Sequence, residues 1–544
     1  MSSLFELEVL VIDCQATAAG PRGHLLELGW ARVEATATHP RACLIKLPND
    51  ERIPPVVARM TGISEAMVRA GVDADTAWRE LATEAARLGQ QPAPTLAHFA
   101  RFEQPFLRSL AGGVPQLDVV CTHEIARRLL PDLPRCSLRA LSGYFGRAVS
   151  TLRRSADHVE ATAFVWRELV RLLELEGVST WSALHEWLAA RVQPPGRRRR
   201  GWPMPRDMRL SLPDAPGIYR LLRTSGDVVY VGKASSLRKR VNSYFRKQRA
   251  VPERMLEMLS QVRGVSFEVA PSNLEAALLE PDEIKRHRPP YNVVLISDRR
   301  ALWFTPPDLS ELSPQPSARC RVGPFLFAEM LEQFAALTRA NRAALEVGRW
   351  VPDASIFDAG YERLLAAHPE LSRDDLCPHT RLLRLGTRLW REGRRDRHAD
   401  QNGSSATERA IRVWTPEEVQ GSLERLTIRV ALARRRARWL SRLLDASVVW
   451  SEPGLEGARL IIVESGEITL RRGIESNAIP PIPPGYRRPI AERREAFTLP
   501  RVDRLRVLTT EIKRLVSIGA PVAVRFGDAP ILAGTGLAAA LSWL

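Results

Sequence analysis

The segment spanning residues 217–292 constrains the fold of this chain more than any other stretch. It begins with an apolar run at 217–222, reaches a polar Ser-Gly-Asp turn at 225–227 and continues as a second apolar run at 228–232. Two apolar runs joined by a short polar turn that contains glycine are typical of a β-hairpin. The sequence therefore predicts an antiparallel hairpin at the start of this segment.

A helix is predicted directly after the hairpin. Ser236 suits a helix N-cap, and residues 237–245 follow it as the helix. Side chains three and four positions apart on a helix are neighbours, so Arg240 shares a face with the apolar residues Leu237 and Tyr244. A cation on a packed face requires an explanation, and this one points to a functional role.

The segment closes with a strand and a second helix. Residues 264–269 read as a third strand, and a helix begins at about Asn273 and carries Glu280. Pro281 follows Glu280 directly, and proline inside a helix removes a hydrogen bond and favours a kink. Such a kink would displace the carboxylate of Glu280.

The polar side chains of this segment are of the types that phosphodiester hydrolysis needs. A single carboxylate can hold a divalent ion that keeps several waters, as magnesium prefers, and that ion polarises a phosphoryl oxygen. A tyrosine can relay the proton of an attacking water, and a guanidinium can stabilise the charge that develops on phosphorus. The candidate catalytic residues are Tyr219, Tyr230, Lys233, Arg240 and Tyr244, with Glu280 as the candidate metal ligand.

The order of these residues resembles the GIY-YIG nuclease family, and within it the N-terminal domain of UvrC and its shorter relative Cho. The matches are Gly217-Ile218-Tyr219, Tyr230-Val231-Gly232-Lys233-Ala234, Leu237, Arg240, Tyr244, Leu279-Glu280, Ile284-Lys285, Arg288-Pro289 and Tyr291-Asn292. The resemblance implies that Tyr219 acts as general base or proton relay and that Glu280 binds Mg²⁺ or Mn²⁺. It also implies that Arg240, with Lys233, Tyr230 and Tyr244, orients and stabilises the phosphate.

The positive net charge of the chain indicates DNA as the expected partner. Lysine and arginine number 79 against 62 acidic residues, a formal charge of +17, and neutralising phosphates releases counterions. The candidate DNA-binding residues are Arg197, Arg198, Arg199, Arg200, Lys285, Arg286 and Arg288. For the linker arginines, a solvated charged hinge is an equally good explanation.

The first 190 residues predict a separate α/β domain, because apolar strands at 7–13 and 24–33 alternate with a helix at 75–88. Their order resembles the DnaQ-like 3′–5′ exonucleases, which have a ribonuclease H-like fold. The motifs that carry this likeness lie at 11–17, 60–63, 97–103, 118–141 and 157–162.

The exonuclease motifs depart from the family at the metal-binding positions. Asp13 is kept, but Gln15 and Glu103 stand where the family has a glutamate and an aspartate. In the third motif one register places Arg153 at the histidine and His158 at the aspartate, and another recovers Asp157 but no histidine. The predicted site is therefore degenerate, and a DNA-end or single-strand binding module, or a docking scaffold, is the expected role.

Composition places the chain among cytoplasmic globular proteins. The N-terminus has no basic signal-peptide region, and no apolar run is long enough to span a bilayer. Six cysteines are scattered without a C-x-x-C pair, which is typical of reduced thiols. Neither a membrane nor a small-molecule organic cofactor is expected.

The expected domain order is a degenerate exonuclease domain at 1–190, a Pro/Arg-rich linker at 191–208, a GIY-YIG domain at 209–300, a helical Cho-like extension at 301–410, and a helix plus small α/β cap at 411–544. Thr415, Pro416 and Glu418 predict the start of the last long helix through a capping box. That helix carries an arginine run at 434–442, which either contacts DNA or forms a solvated face.

The sequence as a whole predicts a metal-dependent DNA endonuclease that incises damaged DNA in nucleotide-excision repair. A UvrB-type repair helicase is a candidate partner, and whether the enzyme needs it for loading stays open. Two alternatives remain open at this point. One is a 3′–5′ exonuclease of the polymerase III epsilon type, and the other is a non-catalytic DNA-binding repair adaptor.

Overall fold

The computed structural model describes residues 3–20, 22–34, 38–48, 51–110, 117–149, 152–190, 201–246, 251–292, 301–338, 354–372, 377–393, 414–487 and 495–544. The chain divides into two compact units. The first contains Met1–Val269 and Arg286–Val293, and the second contains Ala270–Lys285 and Val294–Leu544. The division falls inside the segment 209–300 that the sequence predicts as one domain.

The first unit opens with a five-stranded sheet of order β3-β2-β1-β4-β5. Strand β1 is antiparallel to β2 and parallel to β4, β2 is antiparallel to β3, and β4 is parallel to β5. This order is that of a ribonuclease H-like fold, which confirms the predicted α/β class. The strands are β1 (Val9–Ala16), β2 (Leu25–Val33), β3 (Arg41–Leu44), β4 (Ala93–Ala97) and β5 (Leu117–Cys121).

Helices cover both faces of this sheet, which explains why β1 is apolar at successive positions. Val9 and Val11 pack in one core cluster, while Leu10 and Ile12 pack in another. The helices are α1 (Pro55–Thr61), α2 (Glu65–Arg69), α3 (Ala74–Ala86), α4 (Ala100–Leu110), α5 (Thr122–Leu129), α6 (Leu138–Tyr144), α7 (Ser155–Leu175) and α8 (Trp181–Ala189).

A smaller antiparallel sheet of order β7-β6-β8 follows in the same unit. It consists of β6 (Gly217–Leu222), β7 (Val228–Ala234) and β8 (Gly264–Val269), with α9 (Arg206–Leu210), α10 (Leu237–Tyr244) and α11 (Glu253–Gln261) around it. The predicted hairpin, helix and third strand are confirmed. Ser236 caps α10 by accepting a hydrogen bond from the backbone N–H of Lys239 at 3.2 Å.

The second unit begins with α12 (Asn273–His287), which contains Pro281 in its interior. Two short strands, β9 (Trp303–Thr305) and β10 (Val322–Phe325), pair antiparallel. The helices that follow are α13 (Ala328–Thr338), α14 (Ala354–Ala367), α15 (Pro378–Glu392) and α16 (Pro416–Leu443). This part confirms the helix-rich character predicted for the region.

The capping box predicted at the start of α16 is present. The side chain of Thr415 accepts from the N–H of Glu418 at 3.3 Å, and the carboxylate of Glu418 accepts from the N–H of Thr415 at 3.2 Å. Helices α15 and α16 approach closely at Gly386, where an added Cβ would lie 2.2 Å from the carbonyl oxygen of Thr427.

The C-terminal part is a five-stranded antiparallel sheet of order β13-β12-β11-β14-β15. Its strands are β11 (Ala446–Trp450), β12 (Ala458–Glu464), β13 (Glu467–Ile474), β14 (Val522–Phe526) and β15 (Leu532–Ala533), with helices α17 (Leu499–Ser517) and α18 (Gly534–Leu541). The α/β character is confirmed, but the sequence reading missed β11. All of its residues are buried, so they lack the alternation that marks a half-exposed strand.

Candidate active site

Tyr219 lies inside the first unit, with none of its surface exposed. Its phenol oxygen is 2.7 Å from that of Tyr244 on α10, and either oxygen can donate the hydrogen bond. In the sheet register Tyr219 faces Gly232 of β7. A Cβ at residue 232 would lie 2.4 Å from the Tyr219 hydroxyl, so glycine at this position makes room for the phenol.

Tyr230 completes a cluster of three aromatic rings. Its ring centroid lies 6.2 Å from that of Tyr219 and 6.2 Å from that of Tyr244, and the latter two are 6.3 Å apart. The guanidinium carbon of Arg240 is 5.0 Å from the centroid of the Tyr244 ring. The structure thus brings together four of the predicted catalytic residues.

Burial sets the protonation of this cluster. It raises the pKa of Tyr219 well above its ordinary value, the other two phenols raise it further, and Arg240 acts in the opposite direction. Burial also works against the charge of Arg240, but the phenols of Tyr219 and Tyr244 raise the pKa of the guanidinium. At neutral pH Tyr219 therefore holds its proton beside a permanently charged arginine.

Lys233 lies one residue beyond Gly232 and is exposed. Its register partner is Ile218, and successive residues of a strand face opposite sides of the sheet. Lys233 is therefore placed on the sheet face opposite that of Tyr219 and Tyr230.

The segment after α12 is fastened to the hairpin by Asn292. Its side chain accepts from the N–H of Val231 at 2.9 Å and donates to the carbonyl of Val231 at 2.8 Å. The side-chain amide of Asn292 thus bonds to both the N–H and the C=O of one strand residue, as the backbone of a neighbouring strand would. The sequence reading named Asn292 only as a family match, because a contact over 61 residues leaves no local pattern.

A buried polar network links the small sheet to α11. Gln261 donates to the phenol of Tyr291 at 2.6 Å and accepts from the guanidinium of Arg223 at 2.9 and 3.1 Å. Tyr291 in turn donates to Glu257 at 2.8 Å. Burial and the Glu257 carboxylate raise the pKa of Tyr291, so this phenol stays a donor.

Glu280 belongs to the second unit and is half-buried on α12. The helix continues through Pro281 to His287. Within the described residues, no group of three or more His, Cys, Asp or Glu side chains is placed to hold a metal ion. A single carboxylate still fits Mg²⁺, which keeps several of its waters when it binds protein.

The candidate DNA-binding residues fall into three groups. Arg197 to Arg200 lie outside the described residues. Lys285 forms an ion pair with Asp503 at 3.4 Å, whereas Arg286 and Arg288 are exposed. Arg288 has a φ of 42° and follows the last residue of α12, where a left-handed residue commonly ends a helix.

The exonuclease-like domain has its own polar cluster around Asp13. The carboxylate of Asp13 lies 3.1 Å from Nδ1 of His158 and accepts from the amide of Gln15 at 3.0 Å. Burial opposes charge on His158, but its hydrogen bond to Asp13 raises its pKa. Glu103 is buried, and burial together with the Asp13 charge raises its pKa to about 9.

The third exonuclease motif places His158, and not Asp157, against Asp13. The carboxylate of Asp157 instead accepts from the backbone N–H groups of Arg153 and Arg154 at 3.3 and 3.2 Å, and so caps α7. The side chain of Arg153 is exposed. Of the two registers left open by the sequence, the one that brings His158 to the site matches the geometry.

A cavity of about 960 Å³ opens beside this cluster. Its lining includes Phe99, Phe102 and the cations Arg101, Arg127 and Arg139. Phe99 has a φ of 65° and an exposed ring whose centroid is 4.1 Å from that of His123. A non-glycine residue in the left-handed region is strained, and such strain concentrates at functional sites.

The arginine run of α16 makes packing contacts within the second unit. Arg435 and Arg442 lie 3.9 and 4.1 Å from the ring centroids of Trp543 and Phe526. Arg436 donates to the carbonyl of Leu544 at 2.8 Å. These contacts give the run a structural role that does not require DNA.

Fold and site together define a GIY-YIG domain of the UvrC type. Residues 215–293 match the family model described as the UvrC-like GIY-YIG domain. The chain therefore carries this domain behind an exonuclease-like α/β domain. No helix in the described ranges is long and apolar enough to cross a membrane.

Two curated relatives are similar to parts of this chain. A Mycobacterium tuberculosis relative, named as a bifunctional exonuclease/endonuclease, is 30% identical over 306 residues, which are 53% of this chain and 45% of the relative. UvrABC system protein C of Sphingopyxis alaskensis is 47% identical over 100 residues, 18% of this chain and 15% of that protein. The chain thus spans less than half the length of these relatives.

Among solved structures, the GIY-YIG N-terminal endonuclease domain of UvrC from Thermotoga maritima, bound to magnesium, is 33% identical. The match covers 16% of this chain and 94% of that domain, with a TM-score of 0.15.

Proposed function

We propose that this protein is a metal-dependent DNA endonuclease that hydrolyses phosphodiester bonds and incises damaged DNA in nucleotide-excision repair. The observation that carries the proposal is the buried hydrogen bond between Tyr219 and Tyr244 beside Arg240, inside a UvrC-like GIY-YIG domain. A hydroxyl pair of this kind is a means of moving a proton, and the adjacent guanidinium is a means of holding phosphate.

In this mechanism Tyr219 serves as a relay. Its pKa is too high for it to act as a standing phenolate, so it accepts the proton of the attacking water only as it passes its own proton to Tyr244. Tyr244 in turn releases its own hydroxyl proton to solvent water, so that both phenols end the step neutral. Either oxygen of the pair can donate, which permits that transfer. Well-placed proton transfer typically contributes about 10²–10⁴-fold to a rate.

Arg240 supplies the charge for the transition state. Its guanidinium stays charged, and it is anchored against the ring of Tyr244. A fixed cation stabilises the developing phosphorane charge without reorganising during the reaction. Glu280 would hold Mg²⁺ or Mn²⁺, whose chemistry when bound is to polarise the phosphoryl oxygen and stabilise the leaving oxygen.

The proposal is tested with a lesion-bearing plasmid, incubated with the full chain and Mg²⁺ in the presence and absence of a UvrB-type partner. Nicking is expected for the wild type and is expected to disappear with Glu280→Gln. Full nicking by Glu280→Gln, or none by the wild type under either condition, would refute the proposal. Dependence on the partner separates a UvrC-like enzyme from a self-sufficient one.

For the N-terminal domain we propose a docking role without exonuclease catalysis. The acids at the positions that match the family's motifs are Asp13 and Glu103, and a neutral amide and an imidazole lie next to Asp13. Within the described residues these groups do not form a metal-ligating set. The alternative, a 3′–5′ exonuclease, requires more carboxylates to balance a pair of divalent ions.

Contacts between the residues just before α6 and helix α11 support the docking role. Ser137 donates to Glu257 at 2.9 Å, the guanidinium of Arg135 donates to Glu253 at 3.0 Å, and its backbone N–H donates to Ser260 at 3.0 Å. Since Glu257 also accepts a hydrogen bond from Tyr291, the exonuclease-like domain contacts the network that supports the small sheet.

The absence of exonuclease catalysis is tested with a 3′-labelled single strand. The full-length Glu280→Gln variant should leave this strand undigested, and digestion that is abolished by Asp13→Ala would overturn this view.

A further inference from the structure

Helix α12, which carries Glu280, is fixed on its apolar side by the C-terminal sheet. Leu274 and Leu278 are fully buried in one core cluster with Val448 of β11 and with Ile461 and Val463 of β12. The side chain that would hold the metal thus stands on a helix whose buried leucines share a core with the C-terminal domain, together with Phe304, Trp439 and Leu443 from outside that domain.

Polar contacts join the same helix to the C-terminal domain along its whole length. At its start, the amide of Asn273 donates to Glu452 at 2.6 Å, and Glu275 accepts from Arg459 at 2.6 Å. Beyond Glu280, Asp282 pairs with Arg504 at 3.3 Å and Lys285 pairs with Asp503 at 3.4 Å. These contacts lie both before and after Glu280 in the helix.

The partners of α12 are themselves held in place. Glu452 is buried and also accepts from Arg514 at 3.0 Å. Arg504 is paired with Glu467 as well as with Asp282, and Glu467 accepts from Arg501 at 2.8 Å. Ion pairs that share residues in a network restrict α12 more firmly than isolated surface ion pairs do, because isolated pairs contribute little to stability.

We propose that the C-terminal α/β domain, residues 446–544, is a positioning device for Glu280, with Arg459 and Arg504 as its principal positioning residues. The proposal rests on the proposed function, in which Glu280 is the metal ligand. Glu275 and Asp282 are about 10 Å apart along a helix that rises 1.5 Å per residue, so contacts at both positions restrict the backbone of Glu280 and of Pro281 between them.

Positioning by neighbouring contacts matters more when a single carboxylate holds the metal ion than when several protein ligands surround it. Within the described residues Glu280 belongs to no group of three or more His, Cys, Asp or Glu side chains that could hold a metal ion. The placement of the ion then depends on the one side chain and on what orients it, and loss of an orienting contact typically weakens metal binding by about 10–100-fold.

The test uses the full chain and four single variants. Arg504→Gln and Asp282→Asn each break the pair beyond Glu280 and leave the rest of the helix contacts unchanged. Arg363→Gln, which breaks the 3.2 Å ion pair with Glu417 elsewhere in the second unit, is the matched control, and Glu280→Gln removes the proposed ligand. Mn²⁺ affinity, hydrogen exchange of peptides from 273–287, and the Mg²⁺ midpoint of nicking are measured for each.

Arg504→Gln and Asp282→Asn are expected to weaken Mn²⁺ binding about 10-fold and to speed amide exchange in 273–287, while Arg363→Gln changes neither. The double variant Asp282→Asn/Arg504→Gln should match Arg504→Gln, because Arg504→Gln already removes the pair with Asp282 in addition to the pair with Glu467. A generally loosened fold would instead give additive effects.

The outcomes separate the two proposals. If Glu280→Gln binds Mn²⁺ and nicks like the wild type, the proposed function fails. If Glu280→Gln abolishes both but Arg504→Gln and Asp282→Asn behave like Arg363→Gln, the enzyme assignment stands and the positioning role of the C-terminal domain is overturned.

Discussion

The hydroxyl oxygens of Tyr219 and Tyr244 lie 2.7 Å apart in the interior of the first unit. Tyr219→Phe removes the proton that this pair shares and keeps the ring. We expect nicking to fall about 10²–10⁴-fold, the usual contribution of positioned proton transfer. Folding stability should fall by about 1–3 kcal/mol, because the buried hydroxyl of Tyr244 loses its partner. Nicking rates and urea unfolding of the same preparations compare the two losses.

Tyr361→Phe is the matched control, since Tyr361 lies on α14 and stacks on Phe357 within the second unit. It should leave nicking unchanged. Equal nicking by Tyr219→Phe and the wild type would show that the shared proton has no part in the reaction.

Gly232→Ala tests the space that the Tyr219 phenol occupies. The new Cβ would lie 2.4 Å from the hydroxyl of Tyr219 and 2.9 Å from the ring of Tyr230, so the phenol must move. Overpacking of this kind destabilises by about 1–3 kcal/mol, and nicking should drop at least as much as with Tyr219→Phe. Thermal unfolding and nicking check both effects.

Gly264→Ala provides the comparison on β8, at the other edge of the same sheet, where the added Cβ lies no closer than 3.9 Å to any described residue. It should leave activity intact. If Gly232→Ala keeps full activity, the phenol does not need its present position.

Local patterns predicted the parts of the structure that local interactions determine. The hairpin, the Ser236 cap and the Thr415 capping box depend on residues a few positions apart, and each is present. Strand β11 was missed because all of its residues are buried, so its sequence does not alternate between apolar and polar residues. Such a short apolar run could equally belong to a buried helix.

Local sequence patterns did not predict the contacts between residues that are distant in the chain. The pairing of Asn292 with Val231 joins residues 61 positions apart, and that of Glu275 with Arg459 joins residues 184 positions apart. Gln261, which is fully buried and bonded to Arg223 and Tyr291, belongs to no motif. Resemblance located the catalytic residues, and only the fold identified what supports them.

Gly143→Ala tests the docking of the exonuclease-like domain. Gly143 lies on α6, and an added Cβ would be 1.9 Å from the side-chain oxygen of Gln261. Gln261 could move only by giving up its bonds to Arg223 and Tyr291. We expect a loss of about 1–3 kcal/mol in the free energy of unfolding, measured by urea denaturation, together with weaker nicking.

Gly421→Ala makes the same change inside α16, where, among the described residues, the added Cβ approaches the flexible end of the Arg425 side chain, at 3.3 Å. It should stabilise the protein by up to about 1 kcal/mol, the difference in helix propensity between alanine and glycine. Stabilisation by both variants would mean that α6 and α11 do not pack as described.

Glu103→Gln tests the electrostatics of the degenerate exonuclease site through pH. Burial raises the pKa of Glu103 from 4.5 to about 9, so between these values the folded protein keeps a proton that the unfolded chain has lost. The folded state then binds more protons, and its stability falls as pH rises across that window. Glutamine never ionises, so the variant escapes this loss.

We therefore expect Glu103→Gln to match the wild type near pH 4.5 and to be more stable at pH 8, by on the order of a few kcal/mol. Urea unfolding in the presence of a chelator, at several pH values, measures the difference. If the site instead binds two metal ions, Glu103 must be ionised. In that case Glu103→Gln would not be more stable than the wild type at pH 8, and it would lose exonuclease activity. A gain in stability without any change in nicking instead fits a domain kept for its contacts with α11, since Glu103 takes no part in them.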